Sequence, residues 1–435
     1  MIRENVISTK QLCIGCGICA GLCGKEAIVM GENEYGQYFP IIDELQCVSC
    51  GKCIAVCPMR ISEKERKQID IELWNNKKQN EKYRQETGFY INSYEGFFSE
   101  YRMTSASGGF CSALLCALLE YGMIQSVYCA WKNYDSNNFF VSKRITSCND
   151  VLKCGGSAYY PIELSETLKE IKKRNEKTAI VCLPCQATAL RYAMKKDKTL
   201  QDSIQYIIGL ICGGMPGKSM VEYIAKAKGC KLSEFDKITF REKDSGIQAN
   251  NCQIKFYKNN HEVAVSRYHH GDAYGFVYLN KILHYKGCNI CTDVYAEQAD
   301  IVFGDAWFDE NKTNEWGTSI CITRNRDLDA IMRKLGAKES SIDRMILAQN
   351  NVGLISNKKI LAYQYKETYR KHGYTLGEYT RKDVSWKLKI IVFLRELMAD
   401  ANRKEWKKYK QGKINFDQMN KNWHTIIKWK KRIGL

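Results

Sequence analysis

Two runs of four cysteines constrain this chain more than any other feature. Cys13, Cys16, Cys19 and Cys23 are followed by Cys47, Cys50, Cys53 and Cys57, and the second run repeats the spacing of the first. The repeated pattern is C-x2-C-x2-C-x3-C, the arrangement that holds two 4Fe–4S clusters in one small domain. Each CxxC step wraps the backbone around a cluster, so that amides point at its sulfur atoms. Gly15, Gly17 and Gly51 permit the close approach and the unusual φ angles this needs. The displaced fourth cysteine of each run reaches the other cluster. One cluster is therefore expected on Cys13, Cys16, Cys19 and Cys57, and the second on Cys47, Cys50, Cys53 and Cys23. Pro58 follows the second run as the pattern asks, while Gly24 takes that place after the first. Four-cysteine zinc sites also use CxxC steps, but two complete tandem runs favour iron. Gly15, Gly17 and Ala20 also match G-x-G-x-x-A. They lie in a cysteine loop with no strand before and no long helix after, which rejects a dinucleotide fingerprint.

The chain has 435 residues and 21 cysteines. At roughly 100–200 residues per domain, two or three domains are expected. Met1–Lys10 carries Arg3 and Glu4 and no apolar leader segment. That points to a reducing cytoplasm, with thiols used as metal ligands or core residues rather than in disulfides. No apolar run approaches the length of a bilayer span. The net charge is +18 and is uneven. Residues 381–435 hold 16 Lys/Arg against 5 Asp/Glu, whereas residues 1–60 hold 5 against 6. The basic excess belongs to the tail and not to the cysteine-rich segment.

The expected fold class is an α+β ferredoxin-like two-cluster domain (1–60), then a larger α/β domain (95–335) and a mainly helical basic C-terminal region (336–435). Residues 61–94 read as a solvated helix or linker, rich in Glu, Lys, Gln and Asn. Beyond them, short apolar strands alternate with helices. Helices are expected over Phe110–Tyr121, Leu164–Arg174, Gln186–Met194 and Ser219–Ala227. Strands are expected over Val127–Trp131, Thr178–Leu183, Ile204–Leu210, Lys237–Phe240, Cys252–Tyr257, Glu262–Arg267, Ala299–Phe303 and Ser319–Thr323.

Several turns carry residues suited to chemistry. Ser105, Ser107, Gly108 and Gly109 precede a helix, where free N–H groups can hold a phosphate; an ordinary serine cap reads the same way. Cys185 and Cys212 sit at the ends of consecutive buried strands, the place where α/β sheets bind ligands. Cys288 and Cys291 form a separate CxxC. Together these are four thiolates, enough for a third cluster, although buried cysteine is also a plain small hydrophobe. Cys111, Cys116, Cys129, Cys148, Cys154, Cys182, Cys230, Cys252 and Cys321 suit that second reading. Gly213–Ser219 ends like a phosphate-binding loop, but its first glycine position, 212, is cysteine. The six histidines show no metal-binding pair; His269 and His270 are adjacent and would face opposite ways on a strand.

SASGGF at 105–110, LPCQATALR at 183–191, ICGGMPG at 211–217, FREK at 240–243, CNIC at 288–291 and ADIVFGDAW at 299–307 occur in one order. In that set the chain resembles the family of coenzyme F-420 hydrogenase/dehydrogenase beta subunits, fused to an N-terminal two-cluster ferredoxin. The resemblance covers roughly residues 1–60 and 95–330. It implies an oxidoreductase that holds FAD beside a 4Fe–4S cluster and passes electrons between iron–sulfur carriers and a two-electron substrate. It implies flavin contacts at Ser107, Gly108 and Gly109, and it favours a third cluster on Cys185, Cys212, Cys288 and Cys291. Asp305 is a further candidate for flavin or substrate contact.

Three motifs depart from the family's common forms. T-P-C-Q is changed at Leu183, C-H-G at Gly213, and G-D-F-W-G at Ala306 and Phe308. These changes point away from the deazaflavin as substrate. The alternative is an electron-transfer subunit without a substrate of its own, or an adaptor linked to polysaccharide biosynthesis. The expected partner is a ferredoxin-type protein or another oxidoreductase subunit. The tail has two readings. Its basic residues and Trp386, Trp406, Trp423 and Trp429 suit an interfacial helix on anionic lipid; otherwise Trp386, Leu388, Ile391, Leu394 and Met398 pack onto the core. An acidic protein partner also fits the charge, whereas nucleic acid has no purpose beside a redox core.

Overall fold

The computed structural model describes residues 12–74, 82–134, 138–268, 271–312, 314–382 and 384–432. His269 and His270 lie outside the described residues. The repeated cysteine runs give repeated structure. Each carries a left-handed glycine, Gly17 (φ 76°) or Gly51 (φ 77°), that opens a four-residue helix, Ile18–Gly21 or Lys52–Ala55. An antiparallel hairpin of β1 (Ile28–Glu32) and β2 (Tyr38–Ile42) separates the two.

The segment after this domain is not a free linker. A helix over Glu63–Trp74 buries Ile69 and Trp74, and the Trp74 indole N–H donates to the Glu297 carbonyl at 3.0 Å. A small hairpin of β3 (Lys82–Arg84) and β4 (Gly88–Tyr90) follows. Only two side chains of that helix are buried, so its apolar period is too sparse to read among the charges.

The main body is a seven-stranded sheet. Its strands are β5 (Ser93–Gly96), β6 (Ser126–Lys132), β7 (Phe140–Ile145), β8 (Thr178–Cys182) and β9 (Ile204–Leu210). A three-stranded antiparallel sheet then intervenes, β10 (Lys237–Phe240), β11 (Gln253–Lys258) and β12 (His261–Arg267). The large sheet ends with β13 (Ile301–Asp305) and β14 (Ser319–Thr323), in the spatial order β5-β14-β13-β9-β8-β6-β7. Strands β6, β8, β9 and β13 run parallel, and the edges are antiparallel. Both faces are covered, which is why β8 and β9 read as continuous apolar runs. Ala179, Ile208, Phe303 and Cys321 share one core with the helix Phe110–Glu120. Ile180, Ile207, Val302 and Ile322 share the other with the helices Ser165–Arg174 and Pro184–Lys196. The parallel strands and their crossovers place the ends of β8 and β9 side by side, and that is where the site lies.

Two departures concern cysteines and the tail. Cys116 and Cys148 are joined by a disulfide, where the sequence suggests separate core thiols; it ties the helix Phe110–Glu120 to the helix Cys148–Cys154. In the tail, helices Trp386–Lys410 and Phe416–Arg432 pack together, and Trp406 and Trp423 are fully buried with ring centroids 5.9 Å apart. The Trp406 indole donates to the Glu34 carbonyl at 2.8 Å, tying the tail to the N-terminal domain. Val392 and Met398 face inward, but Trp386 is 66% exposed rather than packed. It starts a stripe with Ile390, Phe393 and Leu397 that lies open on the helix surface. Among the described residues no helix is long and apolar enough to cross a membrane.

The buried tryptophan pair makes the tail part of the core. Trp423→Ala is expected to destabilise the protein by about 3–5 kcal/mol, as other large-to-small core changes do. Urea unfolding measures this; a loss below about 1 kcal/mol would show that the tail helices do not share the core.

Candidate redox site

The N-terminal cysteines fall into two groups. Cys13, Cys16, Cys19 and Cys57 face one another. Burial pushes the Cys13 thiol up to about 12, with the Gly15 amide pulling it down and Cys57 pushing it further up. Burial also raises Cys16 and Cys19, and the other members of the group add to the effect. Cys53 is instead pushed to about 11 by burial and then by Cys50, Cys47 and Cys23, partly offset by the Ile54 amide. Cys53 also acts on Cys19, so the two groups adjoin. Cys16 is buried and Cys50 is exposed, so one group is inner and the other outer.

The inner group abuts a third set of thiols. Cys185 lies in the first turn of the helix that follows β8, Cys212 follows β9, and Cys288 and Cys291 lie on and just after the short helix Gly287–Ile290. All four line one small cavity of about 30 Å³, with Ile14, Gly15 and Lys358. Burial raises Cys185, and Cys291, Cys212 and Cys288 raise it further, with Cys16 contributing from the N-terminal domain. The segment 12–17 is the seam. The Cys16 carbonyl accepts from the Leu164 amide at 3.0 Å, and the Tyr285 hydroxyl accepts from the Tyr38 amide at 2.7 Å. A β-carbon on Gly287 would overlap the Leu12 carbonyl.

Buried thiols packed this closely resist ionisation unless positive charge sits among them. The arrangement fits iron, which deprotonates the thiols it binds. Backbone amides already donate to sulfur, among them Gly15 to Cys13 and Met215 to Cys288, each at 3.3 Å. Among the described residues no three Cys, His, Asp or Glu side chains close around a single-ion site. In a cubane each iron takes one thiolate, so the cysteines need not converge on a point. Lys358 supplies fixed positive charge. It is 3% exposed, and its ammonium lies 3.3 Å from the Cys288 carbonyl. Burial disfavours its charge, but Cys291, Cys212, Cys288 and Cys185 raise its pKa overall. Sequence reading misses it, because Lys358 stands in a π-helical turn, Ser356–Leu361, with no motif around it.

The other motif residues build the frame. Gln186 accepts from the Leu183 amide at 2.9 Å and donates to the Ile162 carbonyl at 3.0 Å. Arg191 forms a buried ion pair with Asp300 at 2.8 Å, and Asp300 also accepts from the Ile207 amide of β9. Arg324 donates to the carbonyls of Thr87, Phe89, Tyr295, Ala296 and Ala299, fixing the chain just after the CxxC.

The residues expected at a flavin lie at the same end of the sheet, beside β13, β14 and β5. Asp305 is clamped by Arg241 through two hydrogen bonds of 2.7 and 2.9 Å. Ser107 donates to the Thr318 carbonyl, Ser105 and Ser112 share a hydrogen bond, and Gly108 and Gly109 pack against Gly96, Ser319 and Tyr101. The hydroxyls are thus committed inside the chain. Lys243 donates to the Ser107 and Arg102 carbonyls, and burial followed by Arg102 and Arg241 lowers its pKa to about 7. The turn fits an anionic group by its charge and not by its serines.

Known proteins align with these parts. The models described as coenzyme F420 hydrogenase/dehydrogenase beta subunit, N-term and C terminus, match residues 94–169 and 175–342, together more than half of the chain. The chain belongs to that family. Two models of a 4Fe-4S dicluster domain match residues 12–61 and 39–88, so this family member carries an N-terminal 4Fe–4S ferredoxin-type domain. The coenzyme F420-dependent sulfite reductase of Methanocaldococcus jannaschii is 24% identical over 69% of this chain and 43% of its own length. A component of the F(420)H(2) dehydrogenase of Methanosarcina mazei is 26% identical over 46% of this chain and 53% of its own. The chain thus spans about half the length, or less, of these curated relatives. In fold it is similar to a chain of the F420-reducing NiFe hydrogenase complex from Methanosarcina barkeri, with a TM-score of 0.50 at 18% identity over 68% of this chain and 98% of that one. After the second strand-end cysteine comes Gly213, and Leu354 packs into the space a side chain there would need.

The seam at Gly287 gives a sharp test of how the ferredoxin-type domain docks. Gly287→Ala is expected to force Leu12 and the CxxC turn apart and to cost about 1–3 kcal/mol, as overpacking does. Denaturant unfolding and proteolysis at the domain seam measure it; an unchanged midpoint would mean the contact is not tight.

Proposed function

We propose that this protein is an iron–sulfur oxidoreductase that relays electrons between a ferredoxin-type carrier and a two-electron substrate. Cys13, Cys16, Cys19 and Cys57 would hold the inner ferredoxin cluster, and Cys47, Cys50, Cys53 and Cys23 the outer one. Cys185, Cys212, Cys288 and Cys291 would hold a third. Bound there, the clusters would supply one-electron storage, and FAD the conversion between single electrons and a hydride equivalent. The observation that carries the reading is that Cys185, Cys212, Cys288 and Cys291 line one small cavity together with Ile14 and Gly15 of the first cysteine run.

The chain's own residues set the terms of that relay. Leu12, Ile14 and Tyr285 exclude water from the seam between the domain and the third thiol set. Lys358 offsets negative charge at the quartet. Leu45 and Val48, 99% and 60% exposed, flank the outer cysteines and offer an apolar face to a redox partner. FAD enters this proposal from the family. Arg102 and Lys243 beside the Ser105–Gly109 turn support its phosphates lying there, with Asp305 held nearby by Arg241. The relatives are named for coenzyme F420, and the complexes they come from suggest a partner subunit. The packing of Leu354 over Gly213 favours a second reading, an electron-transfer subunit that hands its electrons to that partner.

Iron and flavin counts on anaerobically purified full-length protein test this. About twelve irons are expected, and Cys50→Ser and Cys212→Ser should each remove about four. Zinc in place of iron overturns the proposal, and unchanged iron in Cys212→Ser removes the third cluster from it. Lys243→Gln should weaken flavin binding about ten- to a hundredfold, the worth of a charge-assisted hydrogen bond. Flavin content independent of Lys243 places the cofactor elsewhere. Gly109 is unsuited to this test, because its φ of 86° and its packing on Tyr101 make any side chain there a folding defect.

A further inference from the structure

A second cavity, of about 160 Å³, shares Cys288 and Lys358 with the quartet's own cavity and is walled in part by the tail helices. Its lining includes five cations, Lys281, Lys358, Arg395, Arg403 and Lys430, and one carboxylate, Glu396. That carboxylate is already engaged. It accepts from the Tyr369 hydroxyl at 2.8 Å and from Asn289 at 3.1 Å, and it lies 3.8 Å from Lys286. Asp400, outside the lining, pairs with Lys286 at 2.8 Å and lies 3.7 Å from Arg403. Four donor or acceptor atoms on the lining are buried with no hydrogen-bond partner: His284 Nδ1, Arg395 Nε, Arg403 Nη1 and Asn402 Oδ1. His284 is 6% exposed, and burial together with Lys281 keeps it neutral. Lys281 itself is lowered to about 8, by burial first and then by Lys358 and Arg395.

Such an excess of positive charge is costly in a partly desolvated space unless an anion shares it. The cysteine quartet does not account for it. The leading cationic neighbours of Cys212 and Cys288 are Lys358 and Lys281, while Arg395, Arg403 and Lys430 are held through Asn357, the His284 carbonyl and Asn280. Those three residues also lie past residue 342, where the family match ends. They are brought to the edge of the thiol site by helices that the Trp406–Trp423 pair anchors.

We infer that this cavity binds a small oxyanion carrying two or more negative charges, a phosphate- or polycarboxylate-bearing metabolite, against the Cys288 side of the redox site. The guanidinium groups of Arg395 and Arg403 suit paired oxygen atoms, and the Lys281 and Lys430 ammonium groups add charge. Neutral His284 contributes one further hydrogen bond. The inference rests on the proposed function only for what lies at Cys288; the unbalanced charge of the cavity stands without a cluster.

Calorimetric titration of the full-length protein at fixed ionic strength tests it, with pyrophosphate and citrate as probes and chloride as the control. One-to-one binding of either probe is expected, weakened at least tenfold in Arg395→Gln and in Lys430→Gln while iron content stays unchanged. The stronger probe identifies phosphate or carboxylate as the preferred chemistry. Amine labelling read by mass spectrometry gives a second measure that needs no variant: the probe should protect Lys281 and Lys430 but not exposed Lys428. Binding of neither probe, or equal affinity in both variants with no protection of Lys281 and Lys430, overturns the inference. Iron lost without loss of binding would count against the proposed clusters and leave the anion site standing.

Discussion

The N-terminal cysteine loop can serve the main body only because it lies directly on the Gly287–Ile290 turn, with no β-carbon between them. Gly287 faces the Leu12 carbonyl, Gly15 faces Tyr285 and Tyr38, and Gly17 faces the backbone at Leu164 and Ser165. These three glycines set the separation of the inner thiol group from the quartet to backbone contact. Electron transfer between buried centres depends steeply on distance, so in the proposed relay this seam would matter more than any single ligand. Much else in the molecule holds that seam in place. Arg324 pins the backbone after the CxxC, Trp74 clips the Glu63–Trp74 helix to Glu297, and Trp406 reaches from the tail to the Glu34 carbonyl.

A second constraint is charge. Gathering cysteines in a buried volume is unfavourable for thiolates unless cations and amide dipoles are supplied with them. The N-terminal groups rely on glycine-rich turns whose amides face sulfur. The quartet has the Met215 amide at Cys288 and, in addition, Lys358. The N-terminal runs therefore read as one contiguous motif, and the quartet only as scattered candidates. A loop that does its own solvation must be contiguous, whereas a site served by a distant lysine can be assembled from three separate stretches of chain.

Legibility in the sequence follows from how local each interaction is. The N-terminal runs are local, and their interleaved grouping is what the spacing implies. Strands Ile204–Leu210, Lys237–Phe240 and Ser319–Thr323 and the helix Ser219–Ala227 are readable to the residue, because each combines a clean apolar period with clear turn signals. The edge strands Ser93–Gly96 and Phe140–Ile145 escape such reading, being half-exposed with mixed side chains. The Glu63–Trp74 helix blurs into a linker because its burial rests on two residues. The Cys116–Cys148 disulfide depends on a helix–helix contact 32 residues apart in sequence, and nothing in the spacing distinguishes that pair from the other core cysteines. Asp305 stands out in sequence at the end of a strand, yet its partner Arg241 comes from a motif that carries no chemistry by itself.

The tail shows how composition can mislead while still containing the answer. Read as a block, residues 381–435 are a basic segment with scattered tryptophans, a description that suits lipid as well as it suits a core. The structure sorts those residues by helix face. Trp406, Trp423, Val392, Met419 and Ile427 turn inward and supply the burial, while most lysines remain solvated outside. Arg395, Arg403 and Lys430 do neither. They turn toward the redox body, where the same positive charge that would be a weak surface feature becomes a concentrated one. A charge on an open helix is screened within a Debye length of about 8–10 Å. The same charge at the wall of a cavity is screened far less. Three of the 16 basic residues of this segment can therefore set the electrostatics beside Cys288 when the others do not. The anchoring tryptophans, not the lysine count, decide which three they are.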